Sequence, residues 1–95
     1  MHARVTVYRF KPGTVDGAIR KAETGMLPVF RKHAGYRSYQ VVKTGPDSAV
    51  SITMWETEAE AKAAVKVAAD WVKANIGSEV VSADNHVGTV SFSHR

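Results

Sequence analysis

The chain has 95 residues, enough for one small domain spanning 1–95 and one modest hydrophobic core. Its 44% apolar and 23% charged content is that of a globular protein and sets aside disordered and collagen-like classes; no apolar run approaches the ~20 residues that span a bilayer. With no cysteine there is neither a disulfide framework nor a thiolate metal site. The formal charge of +4 is scattered from Arg4, Arg9 and Lys11 through to Lys73 without a block of like charge. That pattern reads as a solvated surface with a mild basic bias rather than a nucleic-acid interface. Met1 to Phe10 has no apolar signal-like core, so the expected location is cytoplasmic.

Residues Ala3 to Lys11 alternate, with Val5 and Val7 on one face and Thr6, Tyr8 and Phe10 on the other, which predicts a strand. Pro12-Gly13 ends it. Thr14 then stands at a helix N-cap position, with Asp16 in the first turn. Val15, Ala18, Ile19, Ala22, Met26, Leu27 and Phe30 recur at helical spacing up to about His33, and Pro28 is expected to kink or break that helix. Tyr36 to Lys43 alternates again, with Tyr36, Ser38, Gln40 and Val42 opposite Arg37, Tyr39 and Val41. Gly45-Pro46-Asp47 predicts a hairpin into the strand Ala49 to Glu56. Thr57 and Glu60 have capping-box spacing at the head of an Ala-rich helix that Gly77 closes. Its apolar stripe is Ala61, Ala64, Val65, Ala68, Trp71 and Val72. Val80 to Phe92 is β-like, with a break expected near Asp84-Asn85.

The order βαββαβ predicts a ferredoxin-like α+β fold: an antiparallel four-stranded sheet with two helices on one face. Apolar residues continue on both strand faces, whereas a half-exposed sheet is polar on its outer side. A second copy is therefore expected to cover the open face and make a homodimer.

Particular segments carry a family resemblance: Lys11-Pro12-Gly13-Thr14, then His33-Ala34-Gly35-Tyr36-Arg37-Ser38-Tyr39, then Ser51-Ile52-Thr53-Met54-Trp55-Glu56-Thr57 before the Ala-rich helix. Over nearly the whole chain the pattern resembles the antibiotic-biosynthesis-monooxygenase-like (ABM) family of the dimeric α/β-barrel superfamily. The resemblance implies two subunits packed sheet to sheet, each with a pocket between sheet and helices. Its heme-degrading members use an Asn on strand one, a Trp ending strand three and a His on helix two; here Trp55 matches, while Thr6 and Val65 stand near the other two positions. Its quinone-forming members use an Asn and a Trp in the strand-three region and an Arg elsewhere; here Ser51 and Thr53 offer hydroxyls where an amide is expected.

The resemblance makes Trp55 a candidate to stack on a flat substrate and donate its indole N–H; the plain alternative is a core Trp. Tyr39 and Tyr8 are candidate donors or ring contacts, the plain alternative for them and for Tyr36 being sheet packing. His86 is a candidate general base, and Trp71 a candidate substrate contact whose plain reading, from aromatic residues at helical spacing, is a core Trp. His2 and His94 lie near the ends, and His33 suits a helix C-terminus. No histidines have i, i+4 spacing, so no metal is expected, and no cofactor.

The expected function is a cofactor-independent monooxygenase acting on a small aromatic or polyketide-like compound. The alternative is a non-enzymatic homodimer that binds a small ligand or serves as a scaffold. A pocket filled by Trp55, Met54 and Leu27 would favour the scaffold. RNA binding, open to the same element order, lacks its basic-Gly-aromatic signature on strand three, so no nucleic-acid partner is expected.

Overall fold

The computed structural model describes residues 1–94. β1 (His2–Phe10) leads through Gly13 into α1 (Val15–Lys21), a π-helical turn (Ala22–Met26) and α2 (Leu27–Arg31). β2 (Tyr36–Gly45) and β3 (Ser48–Trp55) form the hairpin, followed by α3 (Glu58–Asn75) and β4 (Val80–Thr89). The sheet order is β2-β3-β1-β4, every neighbouring pair antiparallel. This is the ferredoxin-like α+β arrangement the periodicity predicts.

The core lies between sheet and helices. Met26, Phe30, Trp55, Ala61, Ala64 and Ala68 form one part of it; Tyr8, Phe10, Val15, Ala18, Ala49 and Ile76 form the other. The three alanines recur on one face of α3 and let that helix lie close to the large rings of Phe30 and Trp55. The opposite face of the sheet carries Val5, Val7, Val50, Ile52 and Met54 and has no second layer within the protomer. Among them Val7 is 38% exposed, and Val42 beside them on β2 is 48% exposed.

Local details depart from the sequence reading. The helical segment runs on through Pro28, and its irregularity is a widened turn just before that residue, where the Leu27 N–H donates to the Ala22 carbonyl five residues back. Pro28 then occupies the first turn of α2, where its missing donor is least costly. Thr14 sits at the N-cap position, but its hydroxyl donates to the Lys11 carbonyl (2.7 Å) instead of capping the helix. The register of β2 shifts between Tyr36 and Ser38, so Tyr36 joins Tyr39 and Val41 on the helix side and packs on Trp55. β4 is continuous through Asp84 and Asn85, because both residues pair in register with β1.

The capping box at α3 forms as expected: the Glu60 N–H donates to Thr57 Oγ1 (3.2 Å), and the Thr57 N–H donates to Glu60 Oε1 (3.0 Å). The Glu60 carboxylate also lies over Gly35, which has φ 80°. A Cβ at Gly35 would collide with that carboxylate and would sit on a left-handed backbone. Gly35→Ala is therefore expected to cost about 2–3 kcal/mol of unfolding free energy. A chemical-denaturation midpoint that does not move would show that the carboxylate has room to step aside.

Candidate functional site

Period-two alternation places Arg4, Thr6 and Tyr8 of β1 on the helix-facing side of the sheet, beside Ser51, Thr53 and Trp55 of β3. Tyr39 of β2 and Asn85 of β4 join them through the register Tyr39↔Thr53 and Thr6↔Asn85. Arg4 is the centre of this face. Composition suggests a solvated arginine there, yet its side chain is 0% exposed. Its Nε donates to Thr53 Oγ1 (3.0 Å), Nη1 to Thr6 Oγ1 (2.7 Å) and Nη2 to Ser51 Oγ (2.6 Å). The Phe30 ring lies under the guanidinium, 5.3 Å from Cζ. Among the described residues no carboxylate forms an ion pair with it.

A guanidinium only donates, so it sets the direction of each hydrogen-bond chain that leaves it. Thr6, having accepted from Arg4, donates to Asn85 Oδ1 (2.8 Å). Ser51 lies beside Tyr39 in the wall of one cavity. Burial raises the Tyr39 pKa above its ordinary value, and the Arg4 charge and the neighbouring Ser51 hydroxyl only partly oppose that rise. Tyr39 is therefore a neutral phenol whose own O–H remains available to donate. Thr53 accepts a second bond, from Trp55 Nε1 (2.9 Å). The indole N–H proposed above as a ligand donor is thus spent inside the protein.

This small cavity of about 30 Å³ lies between the sheet and the first helical segment, with room for a single water. Its walls include Tyr8, Phe10, Ala18, Met26, Tyr39 and Ser51. Outside it runs a groove of about 190 Å³ lined by Ile19, Glu23, Leu27, Tyr39 and Val41. Ile19, Tyr39 and Val41 border both spaces. The π-helical turn supplies Ala22 and Met26 to the cavity and Glu23 to the groove. Such turns recur at functional sites. Neither Met54 nor Trp55 lines the cavity, and Leu27 lines only the groove.

The structure brings Tyr8 and Tyr39 together in the cavity wall. Trp55 is 1% exposed and packs edge to face on Phe30 and Tyr36. It borders a separate concavity of about 150 Å³ with His33, Ala64 and Glu60. Trp71 packs on both parts of the core and against Gly25, where a Cβ would come within 2.7 Å of its ring. His86 lies in register with Val5, on the outer face of the sheet, hydrogen-bonded to Asp84 (3.1 Å). The sheet stands between it and the cavity. No imidazole or carboxylate lines the cavity itself; Glu23 reaches the outer groove. Among the described residues no cluster of three or more His, Asp or Glu could hold a metal, and no helix is long and apolar enough to cross a membrane.

Arg4 and Asn85 were not singled out by the sequence. A signal existed for Arg4: it shares its alternation with Thr6, Tyr8 and Phe10, and the facing strand alternates Ser51, Thr53 and Trp55. An arginine on the aromatic-bearing face, opposite two hydroxyls, is out of place for a solvated charge.

The family model described as antibiotic biosynthesis monooxygenase matches residues 1–69. Solved structures of similar fold include a protein of unknown function from Nitrosomonas europaea, at 20% identity and TM-score 0.78, covering 99% of this chain and 92% of that one. A monooxygenase of Streptomyces coelicolor, from the gene ActVA-Orf6 and bound to nanaomycin D, gives 17% identity and TM-score 0.78, covering 99% and 90%. The heme degrader MhuD of Mycobacterium tuberculosis, with two hemes bound, gives 13% identity and TM-score 0.76 over the whole of both chains. At these identities the likeness is one of fold. No protein of curated function matches.

Proposed function

The chain belongs to the antibiotic biosynthesis monooxygenase family, and from that premise we propose that it is a cofactor-independent monooxygenase for a small aromatic compound, working as a homodimer. The observation that carries this reading is the apolar cavity between sheet and helices whose wall holds two polar groups side by side, Tyr39 and a Ser51 hydroxyl fixed by Arg4 at 2.6 Å. Oxygenation without a cofactor needs an electron-rich substrate, and a phenolate or enolate is one. Charge on its oxygen is stabilised by a preorganised donor in a dry site. In the reaction class considered, a phenol and dioxygen give a quinone and water. One oxygen atom becomes the new carbonyl, the other leaves as water, and the ring loses four electrons with the ring C–H and phenolic O–H protons. The cavity has room for the substrate oxygen alone, to which Tyr39 donates, while Ile19, Leu27 and Val41 flank the ring in the adjoining groove. Trp55 and Trp71 stiffen the floor and the helix side. Thr6 and Val65 occupy the positions where the resemblance expects the heme-site Asn and His, so no step runs through heme.

The substrate enters along the groove, past Tyr39 and the π-helical turn. The outer sheet face, apolar at Val5, Val7, Val50, Ile52 and Met54, is covered by the same face of a second copy.

Oxygen uptake with a panel of naphthols and anthrones tests the chemistry. Tyr39→Phe is expected to lower kcat by about 10²-fold with little change in KM, as for removal of one oxyanion donor. Because its folded pKa lies above the ordinary 10.0, Tyr39 keeps its proton through neutral pH, and the wild-type rate should show no loss from this group below pH 10. The sign for stability agrees: a phenol with a raised pKa favours the fold below the unfolded value, and that contribution is lost as pH rises through the folded one. Absence of oxygen uptake across the panel would leave a ligand-binding or scaffold dimer instead.

A further inference from the structure

We infer that Arg4 is the anion-binding end of this site, and that the ligand it selects is an aromatic body bearing one ionised oxygen, a carboxylate or an acidic enol. The inference rests on reading the cavity as the ligand site, and not on the oxygenase chemistry.

Arg4 carries a permanent charge at full burial, and its protein partners are three neutral hydroxyls and an aromatic face. Buried charges are ordinarily paired, because hydroxyls replace only part of the lost hydration. Tyr39 does not supply the missing negative charge: burial holds it in the neutral form. The guanidinium has five N–H groups, of which the three hydroxyls engage one on each nitrogen. One N–H on each terminal nitrogen is left without a partner among the described residues. These remaining donors are left for the oxygen of an anionic ligand, a carboxylate or an acidic enol.

The path from cavity to charge is short. Ser51 lines the cavity and holds Nη2 at 2.6 Å, so a single hydroxyl separates the space from the guanidinium. The Ser51 O–H is free to donate to a ligand oxygen in the cavity, and a small further shift lets that oxygen meet Nη2 itself. The cavity holds no more than one water, so the ring lies in the adjoining groove against the apolar Ile19, Leu27 and Val41, with its charged oxygen directed past Tyr39 into the cavity. The cavity lacks a base, which is consistent with a ligand that arrives ionised or is ionised by the field of Arg4.

Benzoate and benzamide provide the test, since they share shape and differ in charge. Titration calorimetry and the thermal midpoint would be read for each ligand with wild-type protein, Arg4→Met and Arg4→Lys. Wild-type protein is expected to bind benzoate at least ~10-fold more tightly than benzamide. Arg4→Met should lose that preference and Arg4→Lys retain part of it. Equal affinities in the wild type, binding of neither ligand, or a preference that persists in Arg4→Met would overturn the inference. Should Arg4→Met not fold, Arg4→Gln serves: it removes the charge while keeping an amide donor for the buried hydroxyls, and an unchanged preference there is equally fatal. The oxygen-uptake experiment decides the chemistry separately. Benzoate selectivity with no uptake keeps the anion site and removes the oxygenase. Uptake with no benzoate selectivity does the reverse.

Discussion

Trp55→Ala is expected to lower the unfolding free energy by about 3–5 kcal/mol, a large part of what holds so small a domain together. The indole is 1% exposed, lies 5.8 Å from the Phe30 and Tyr36 rings in near-perpendicular contacts, and donates to Thr53. Truncation removes these contacts together. It also opens a void beneath α3, whose small residues Ala61, Ala64 and Ala68 cannot close it by rotating a longer side chain inward. Trp55→Phe separates packing from hydrogen bonding: it keeps most of the ring area and loses the donor, for about 1–2 kcal/mol. Urea unfolding at one fixed protomer concentration measures both, since a dimer's stability depends on concentration. A loss under ~1 kcal/mol for Trp55→Ala would mean that the α3–sheet contact does not depend on this ring.

Ile52→Asp is expected to convert the proposed dimer to monomers at micromolar concentration, weakening association by about 100-fold or more. Ile52 pairs with Val5 on one side and Gln40 on the other, in the middle of the outer sheet face. A carboxylate at the centre of a sheet-to-sheet interface would be desolvated in a row formed by Gln40, Val5 and His86, with no Lys or Arg beside it. In the separated protomer the same carboxylate faces water, so circular dichroism should still report the native fold. Sedimentation velocity reads the change directly. A wild-type protein that sediments as a monomer would remove the dimer proposal and leave the outer face without a known cover.

The elements themselves were legible because each is a local decision. Alternation over Ala3 to Lys11, the hairpin turn at Gly45-Pro46-Asp47 and the Thr57/Glu60 capping box all act within a few residues, and all three appear in the fold. Pro28 shows where local reasoning stops. Its missing N–H was plain, but a helix can accommodate it by breaking, kinking or widening. Contacts of Met26 and Phe30 with the sheet favour widening, which keeps both rows of side chains on the core. Tyr36 shows the same for strands, since one irregular step in the β2 register moves it to the other face.

The candidate site was legible by residue type and not by arrangement. Tyr8 and Tyr39 do line one cavity, but His86 stands across the sheet from them, because its parity on β4 is fixed by the pairing of Val5 with His86. No pattern within β4 reveals that register. Order, class and the two-faced apolar sheet thus followed from the sequence alone, through periods of two and 3.6 and the chemistry of turns. Only the tertiary structure decided that Arg4 is buried without a carboxylate partner among the described residues and that its hydrogen bonds fix Thr53 and Ser51. Those facts depend on residues 47 to 49 positions apart in the chain meeting across two strands, and a local pattern does not encode which distant hydroxyl a charge will find.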